Sequence, residues 1–191
     1  MVSQVNHVYE YQLDRSDVVI SLNDWWLAFA AENSASDLNR ESVIGREIWD
    51  FIAGKPTQAL YREIHRYVRS TGQSVTVPFR CDSPSLQRHM QVQIKLQGDD
   101  ALLYASTLVR AQRQRKLRLL DAARQTDDSI LTMCSCCKRS LLEPTGWLDL
   151  EHISLRLRLF EKQTVPQLRY TVCPDCQQQI SGDRVKQETA S

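Results

Sequence analysis

Glycine and proline are scarce, at six each in 191 residues. That excludes collagen-like and low-complexity architectures, which need them in quantity. No apolar run approaches the about 20 residues that a bilayer-spanning helix requires, so no membrane association is expected. The first ten residues lack a basic stretch followed by a long apolar one, which argues against a secretory signal. A cytoplasmic location is expected. Neither sign of charge is in excess: 24 basic residues face 23 acidic ones, so no global field draws the chain to nucleic acid or membrane. Cofactor signatures are missing too. There is no Gly-rich phosphate loop, no flavin-attaching Asn-Cys-Arg and no Cys-x-x-Cys-His for haem. Haem and flavin are unsupported, and no cofactor-binding residue is assigned.

What is present is the composition of a globular protein. Hydrophobic residues make up 42%, and four Trp, six Tyr and four Phe can nucleate a core. Charge and cysteine divide the chain in the same way. Residues 1–109 carry 10 basic and 13 acidic groups, 110–124 carry six basic groups against Asp121 alone, and 125–191 carry 8 basic and 9 acidic groups. One cysteine, Cys81, precedes the basic segment; Cys134, Cys136, Cys137, Cys173 and Cys176 follow it. A cytosolic chain rarely keeps structural disulfides, so this cluster points to metal or redox chemistry.

Residues 1–16 show no sustained period and read as an N-terminal arm. Val18–Ile20 and Trp25–Ala31 read as two short strands joined by an Asn23-Asp24 turn, with a helix over Trp25–Ala31 left open. Val43, Ile44, Ile48, Trp49 and Ile52 fall at helical spacing interrupted by Gly45, which predicts two short helical turns. Pro56 suits a first helical turn. From there Leu60, Tyr61, Ile64, Tyr67 and Val68 mark an amphipathic helix that ends at Thr71-Gly72. Ser74–Arg80, Gln87–Leu96 and Ala101–Val109 read as strands with one solvated face. The order predicts an α+β fold: five antiparallel strands with helices across one face.

This order resembles a PAS domain over residues 17–109. So do Asn23-Asp24-Trp25, the Gly45-Arg46 step into Trp49-Asp50-Phe51, and Thr71-Gly72 before the third strand. The resemblance implies sensing of a ligand or redox signal and self-association, without fixing the ligand. Residues 110–131 hold helix-forming Arg, Gln, Leu and Ala without Pro or Gly. They predict a linker helix, with Leu117 and Leu120 near a broken heptad seam.

Cys134-x-x-Cys137 and Cys173-x-x-Cys176 offer four thiolates, which match the tetrahedral preference of Zn²⁺. A two-residue spacer lets a tight turn aim both sulfurs at one ion. The 35 residues between Cys137 and Cys173 exceed the usual ribbon gap, so an inserted element must fill them. Leu148 to Phe160 fits either a helix or a strand. Residues 132–178 also resemble a short Cys module that follows PAS and receiver domains in bacterial signalling proteins. The resemblance rests on Cys134-x-x-Cys137-Lys138, Gly146-Trp147, Leu150-Glu151 and Cys173-Pro174-Asp175-Cys176. Arg169-Tyr170-Thr171 stands where that family often has Ser-His-Gly, and Cys136 is an extra thiol. Residues 179–191 read as a flexible tail.

The remaining candidates have plainer readings. His65 and His89 fit partly exposed structural histidines. Trp25, Trp26, Phe29, Trp49 and Phe51 fit the core of a small domain. The expected protein is a non-catalytic bacterial sensory or regulatory one. Its PAS-like domain would relay a signal through the linker to a zinc-binding interaction module, as a homodimer that engages a signalling partner. No catalytic residues are assigned. A nucleic-acid-binding regulator using the basic segment, and a thiol redox switch, are the alternatives.

Overall fold

The computed structural model describes residues 7–33 and 35–188; residues 1–6, 34 and 189–191, the outer parts of the expected arm and tail among them, lie outside that description. The chain divides into two compact units. Met1–Ala53, Gln58–Pro78 and Met90–Val109 form the first; Gly54–Thr57, Phe79–His89 and Arg110–Ser191 form the second.

The first unit is built on β1 (Val8–Leu13), β2 (Val19–Leu22), α1 (Asp24–Glu32), α2 (Arg40–Val43) and a 3-10 turn, Ile48–Asp50. There follow α3 (Lys55–Thr71), β3 (Val75–Arg80), β4 (Leu86–Gln97) and β5 (Ala101–Arg113). The sheet is antiparallel in the order β2-β1-β5-β4-β3. This is the five-stranded α+β architecture that the PAS resemblance implied. Leu60, Ile64 and Val68, each four residues on, bury one stripe of α3. Val75 and Val77 on β3, and Met90, Val92 and Ile94 on β4, alternate inward as the period of two predicts.

Two expectations at the start of the chain are corrected. Residues 8–13 are not an arm but β1, hydrogen-bonded between β2 and β5, with Leu13 opposite Leu102. The segment after Asn23 is helix α1, not a second strand. Asn23 Oδ1 accepts from the Trp26 backbone N–H at 2.9 Å, so Asn23-Asp24 opens a helix as its cap rather than turning a hairpin. Of the aromatics assigned to the core, Trp49 is buried while Trp25 is 49% exposed.

The second unit contains β6 (Asp127–Cys134), β7 (Ser140–Leu142), β8 (Gly146–Leu148), α4 (Leu150–Arg156), β9 (Pro166–Thr171) and α5 (Pro174–Glu188). Its sheet runs β8-β7-β6-β9. β6 and β9 are parallel, whereas β7 is antiparallel to β6 and to β8. Parallel neighbours need a crossover of a dozen residues or more. The β7–β8 hairpin and α4 are that crossover, and they account for the long gap between the Cys pairs. The tail is corrected as well, since α5 continues to Glu188.

The linker helix is absent. β5 runs on to Arg113, two 3-10 turns follow at Arg118–Leu120 and Ala122–Arg124, and β6 begins at Asp127. Helix propensity is a weak prior, and here packing overrides it. Leu117 and Leu119, two apart, are both fully buried in a core with Leu131, Met133, Leu150, Ile153, Leu159 and Val165. An α-helix would turn residues two apart to different sides. The Leu117 N–H also donates to Pro84 O at 2.8 Å.

Gly54 permits one close approach in the second unit. It has φ +88°, and a Cβ there would lie 2.4 Å from the Tyr170 carbonyl oxygen. Gly45 has nearly the same φ, +87°, but open space around it. Gly54→Ala should therefore lower stability by about 2–4 kcal/mol, against about 1–2 kcal/mol for Gly45→Ala, which carries backbone strain alone. Denaturant midpoints of the two variants measure the difference, and equal losses would contradict the packing argument.

Candidate functional site

The cysteine cluster follows from where β6 and β9 end. In their parallel register Cys134 lies opposite Thr171. Each strand thus delivers its Cys pair to the same edge of the sheet. After β6 the chain turns tightly: the Lys138 N–H donates to Cys134 O at 3.0 Å, the Cys134 N–H to Arg139 O at 2.8 Å, and Lys138 has φ 64°. After β9, Cys173 precedes Pro174, the first residue of α5, so Cys176 sits in the first helical turn.

The Sγ atoms of Cys134, Cys137, Cys173 and Cys176 lie within 4.8 Å of one another. Cys137 and Cys173 sulfurs are 3.7 Å apart. That is far beyond the about 2.05 Å of a disulfide, and all six cysteines are free thiols. It is close to the about 3.8 Å edge of a tetrahedron of sulfurs each 2.3 Å from a central ion. The four thiols can hold a metal ion.

Surrounding groups tune the sulfurs. Hydrogen bonds from the thiols of Cys136, Cys137 and Cys176 lower the Cys134 thiol below its usual value despite burial. Cys136 is pushed up to about 12, chiefly by donating to Cys134, and Cys176 is raised for the same reason. Burial raises Cys173.

Sequence reasoning missed three supports of this cluster. Arg139 donates through Nε to Cys137 Sγ at 3.4 Å and through Nη2 to Cys173 Sγ at 3.5 Å, while Nη2 pairs with Asp175 at 2.7 Å. Ser135 Oγ and Thr57 Oγ1 are 2.7 Å apart. The Arg80 N–H donates to Cys136 O at 2.7 Å. The Cys module thus draws on residues 54–57 and 79–89, which belong to the same unit. Only the position of Arg139, two residues after Cys137, was a signal available in the sequence. Cys136 is buried. The Cys81 thiol is raised by burial, opposed by Lys138 and Arg88.

The first unit holds a second constellation. His65, expected to be partly exposed, is buried. Its Nδ1 faces Asp17 Oδ1 at 2.8 Å, and its Nε2 meets the Tyr104 hydroxyl. Arg69 Nη2 binds the same Asp17 oxygen at 2.8 Å. Burial would raise the Asp17 carboxyl, but hydrogen bonds and charge from His65 and Arg69 more than reverse this and leave it below its ordinary value. Tyr104 is raised well above 10, first by burial and then by Tyr11, so it stays a neutral phenol within hydrogen-bond reach of His65 Nε2. His89 and His152 are exposed.

No family model matches the sequence, and no curated protein matches it. Solved structures similar to the chain are PAS domains and related sensory domains. The PAS domain of the RpfR quorum-sensing receptor of Cronobacter turicensis, in complex with C12:0, is 20% identical, with 58% of this chain and 100% of that one covered and a TM-score of 0.42. The photoactive yellow protein domain of the sensor histidine kinase Ppr from Rhodospirillum centenum is 19% identical, covering 52% and 89%, TM-score 0.40. A sensory box sensor histidine kinase from Vibrio cholerae is 12% identical, covering 56% and 84%, TM-score 0.39. At these values the likeness bears on fold alone. No helix among the described residues is long and apolar enough to cross a membrane.

Asp17 gives a pH prediction. Its carboxyl is depressed in the folded chain, so its contribution to stability is present above the unfolded value of about 3.9 and is lost as pH falls through the folded value. Asp17→Asn retains the left-handed backbone at φ 65°, which Asn tolerates, but removes the charge. It should cost about 2–3 kcal/mol at pH 7 and flatten the loss of stability below about pH 4. Urea titrations at pH 7 and pH 3 measure both effects. Parallel pH profiles for the two proteins would sink the assignment.

Proposed function

We propose that the chain is a non-catalytic sensory or regulatory protein of bacterial type. Its PAS-like unit receives a signal. Its second unit holds Zn²⁺ through Cys134, Cys137, Cys173 and Cys176 and offers an interaction surface. One observation carries the metal assignment: four sulfurs from two turns, distant in sequence, gathered at spacings that suit a tetrahedral ion. Thiolate donors favour zinc among common divalent ions, and a set of four is typical of structural sites. Bound there, zinc would cross-link the ends of β6, β9 and α5 and supply stability rather than chemistry.

Without a linker helix, the signal has another route along the chain. β5 begins in the first unit and passes into the second at Arg110. On the PAS resemblance of the sequence, a homodimer that engages a signalling protein remains the favoured assembly. Nucleic acid is disfavoured because three of the six basic residues of the segment are engaged internally. Arg115 stacks over Phe160, 3.8 Å from its ring centroid. Arg118 donates to Lys162 O, and Arg124 to Gln163 O and the Asp121 carboxylate.

Elemental analysis of protein purified under reducing conditions should give one zinc per chain. Cys173→Ser should cut that content sharply and destabilise the second unit by about 3 kcal/mol or more, while the first unit stays folded. A metal-free wild type, or full occupancy in Cys173→Ser, would remove the zinc assignment. Light scattering across micromolar concentrations tests the dimer, and a monomer throughout would remove that part.

A further inference from the structure

α3 carries Arg62, Arg66 and Arg69 at intervals of four and three residues, so the three guanidiniums share one face. That face walls an open cleft of about 520 Å³ in the first unit, which also touches His65, Asp17 and Asp100. The volume falls within the range of small-molecule sites, and the side chains around it are arginines, aspartates, a histidine and a serine, which suits a charged ligand.

The three cations differ in their commitments. Arg69 is fixed: it donates to Asp100 O at 3.0 Å, to Asp14 O at 2.9 Å and to the Asp17 carboxylate. Arg62 lies over the Trp49 ring, 3.8 Å from guanidinium carbon to centroid. Arg66 is exposed. Neither Arg62 nor Arg66 pairs with a carboxylate among the described residues. Like charges one turn apart weaken a helix, whereas a bound anion would turn that repulsion into attraction. A guanidinium offers a planar fork that matches carboxylate and phosphate oxygens. Stacking on Trp49 holds the Arg62 fork in advance, which lowers the entropy lost on binding.

We propose that this cleft binds a small dianion bearing phosphate or carboxylate groups, clamped between Arg62 and Arg66 with Arg69 at its inner end. The proposal gives the sensory reading of the first unit a ligand class and rests on that reading for its purpose. It also supplies a path inward. A ligand beside Arg69 competes for the guanidinium that holds Asp17, and Asp17 is bonded through His65 to Tyr104 on β5. The Asp17 carbonyl also accepts from the Ile48 N–H at 2.9 Å, so movement of this residue would be felt by the 3-10 turn beside it.

The test titrates the full chain with inorganic phosphate and, separately, malonate, at ionic strength fixed with sodium chloride. Calorimetry and the Nε–H resonances of the arginines report binding. Saturation at one site by at least one probe is expected, and the tighter probe assigns phosphate or carboxylate. Arg66→Gln, a surface change that should leave folding intact, should weaken binding about tenfold or more. Arg46→Gln, outside the cleft, should not. No saturable response to either probe, or equal weakening by Arg46→Gln, would overturn the site and leave the sensory reading to be judged separately. Saturable binding at the arginines with no shift at Asp17 or Tyr104 would support the site and count against the sensory reading.

Discussion

The parallel, in-register pairing of β6 with β9 is the constraint on which the cysteine cluster depends. Cys134 and Thr171 end their strands level with each other, and the two turns that follow face the same edge. Two hydrogen bonds lock the level: the Ser135 N–H donates to Thr171 O at 2.7 Å, and the Cys173 N–H to Cys134 Sγ at 3.3 Å. A slip of one residue would turn every side chain of one strand to the opposite face. Met133 and Leu131 would leave the core, and the sulfurs would separate. The same core that fixes the register therefore also sets the spacing of the thiols.

That dependence explains what was legible in the sequence. Spacing within each Cys pair is local, so the four clustered cysteines could be named directly. The 35 residues between the pairs looked like an excess because a ribbon of antiparallel hairpins needs fewer. They form a parallel crossover that also carries the β7–β8 hairpin and α4, and no residue among them announces that topology. In the first unit the long periodic elements, α3 and strands β3 to β5, were readable from Leu60, Ile64 and Val68 and from the Val and Ile alternation. β1 was not. Its six residues lie half-buried along most of their length, so they lack the clean two-residue contrast that marks a strand with one wet face.

The error at 110–131 has a different origin. Arg, Gln, Leu and Ala favour helix by propensities of a few tenths of a kcal/mol each. Fully burying Leu117 and Leu119 is worth about 1.5–3 kcal/mol apiece, and the partners they need lie on β6, α4 and the segment before β9. Those partners are long-range in sequence, so only the folded chain reveals that packing exceeds propensity here. The basic residues of the segment follow suit. The guanidiniums of Arg115, Arg118 and Arg124 reach carbonyls and a phenyl ring of the same unit, so part of the charge that looked like a linker surface helps to pin the segment.

The buried groups of the two units meet different electrostatic demands. In the first, the Asp17 carboxylate meets His65 and Arg69, and its charge is balanced where it sits. In the second, four thiolates around a divalent ion would leave a charge of about −2 to be offset by the surroundings. Arg139 reaches Cys137 and Cys173 and returns to Asp175, so it can offset part of that charge while its own orientation is held from the α5 side. Four protein sulfurs also fill the tetrahedral shell of such an ion and leave no open position for a substrate. A closed shell with a guanidinium against its sulfurs would favour persistence over reactivity, which suits a site that holds β6, β9 and α5 together.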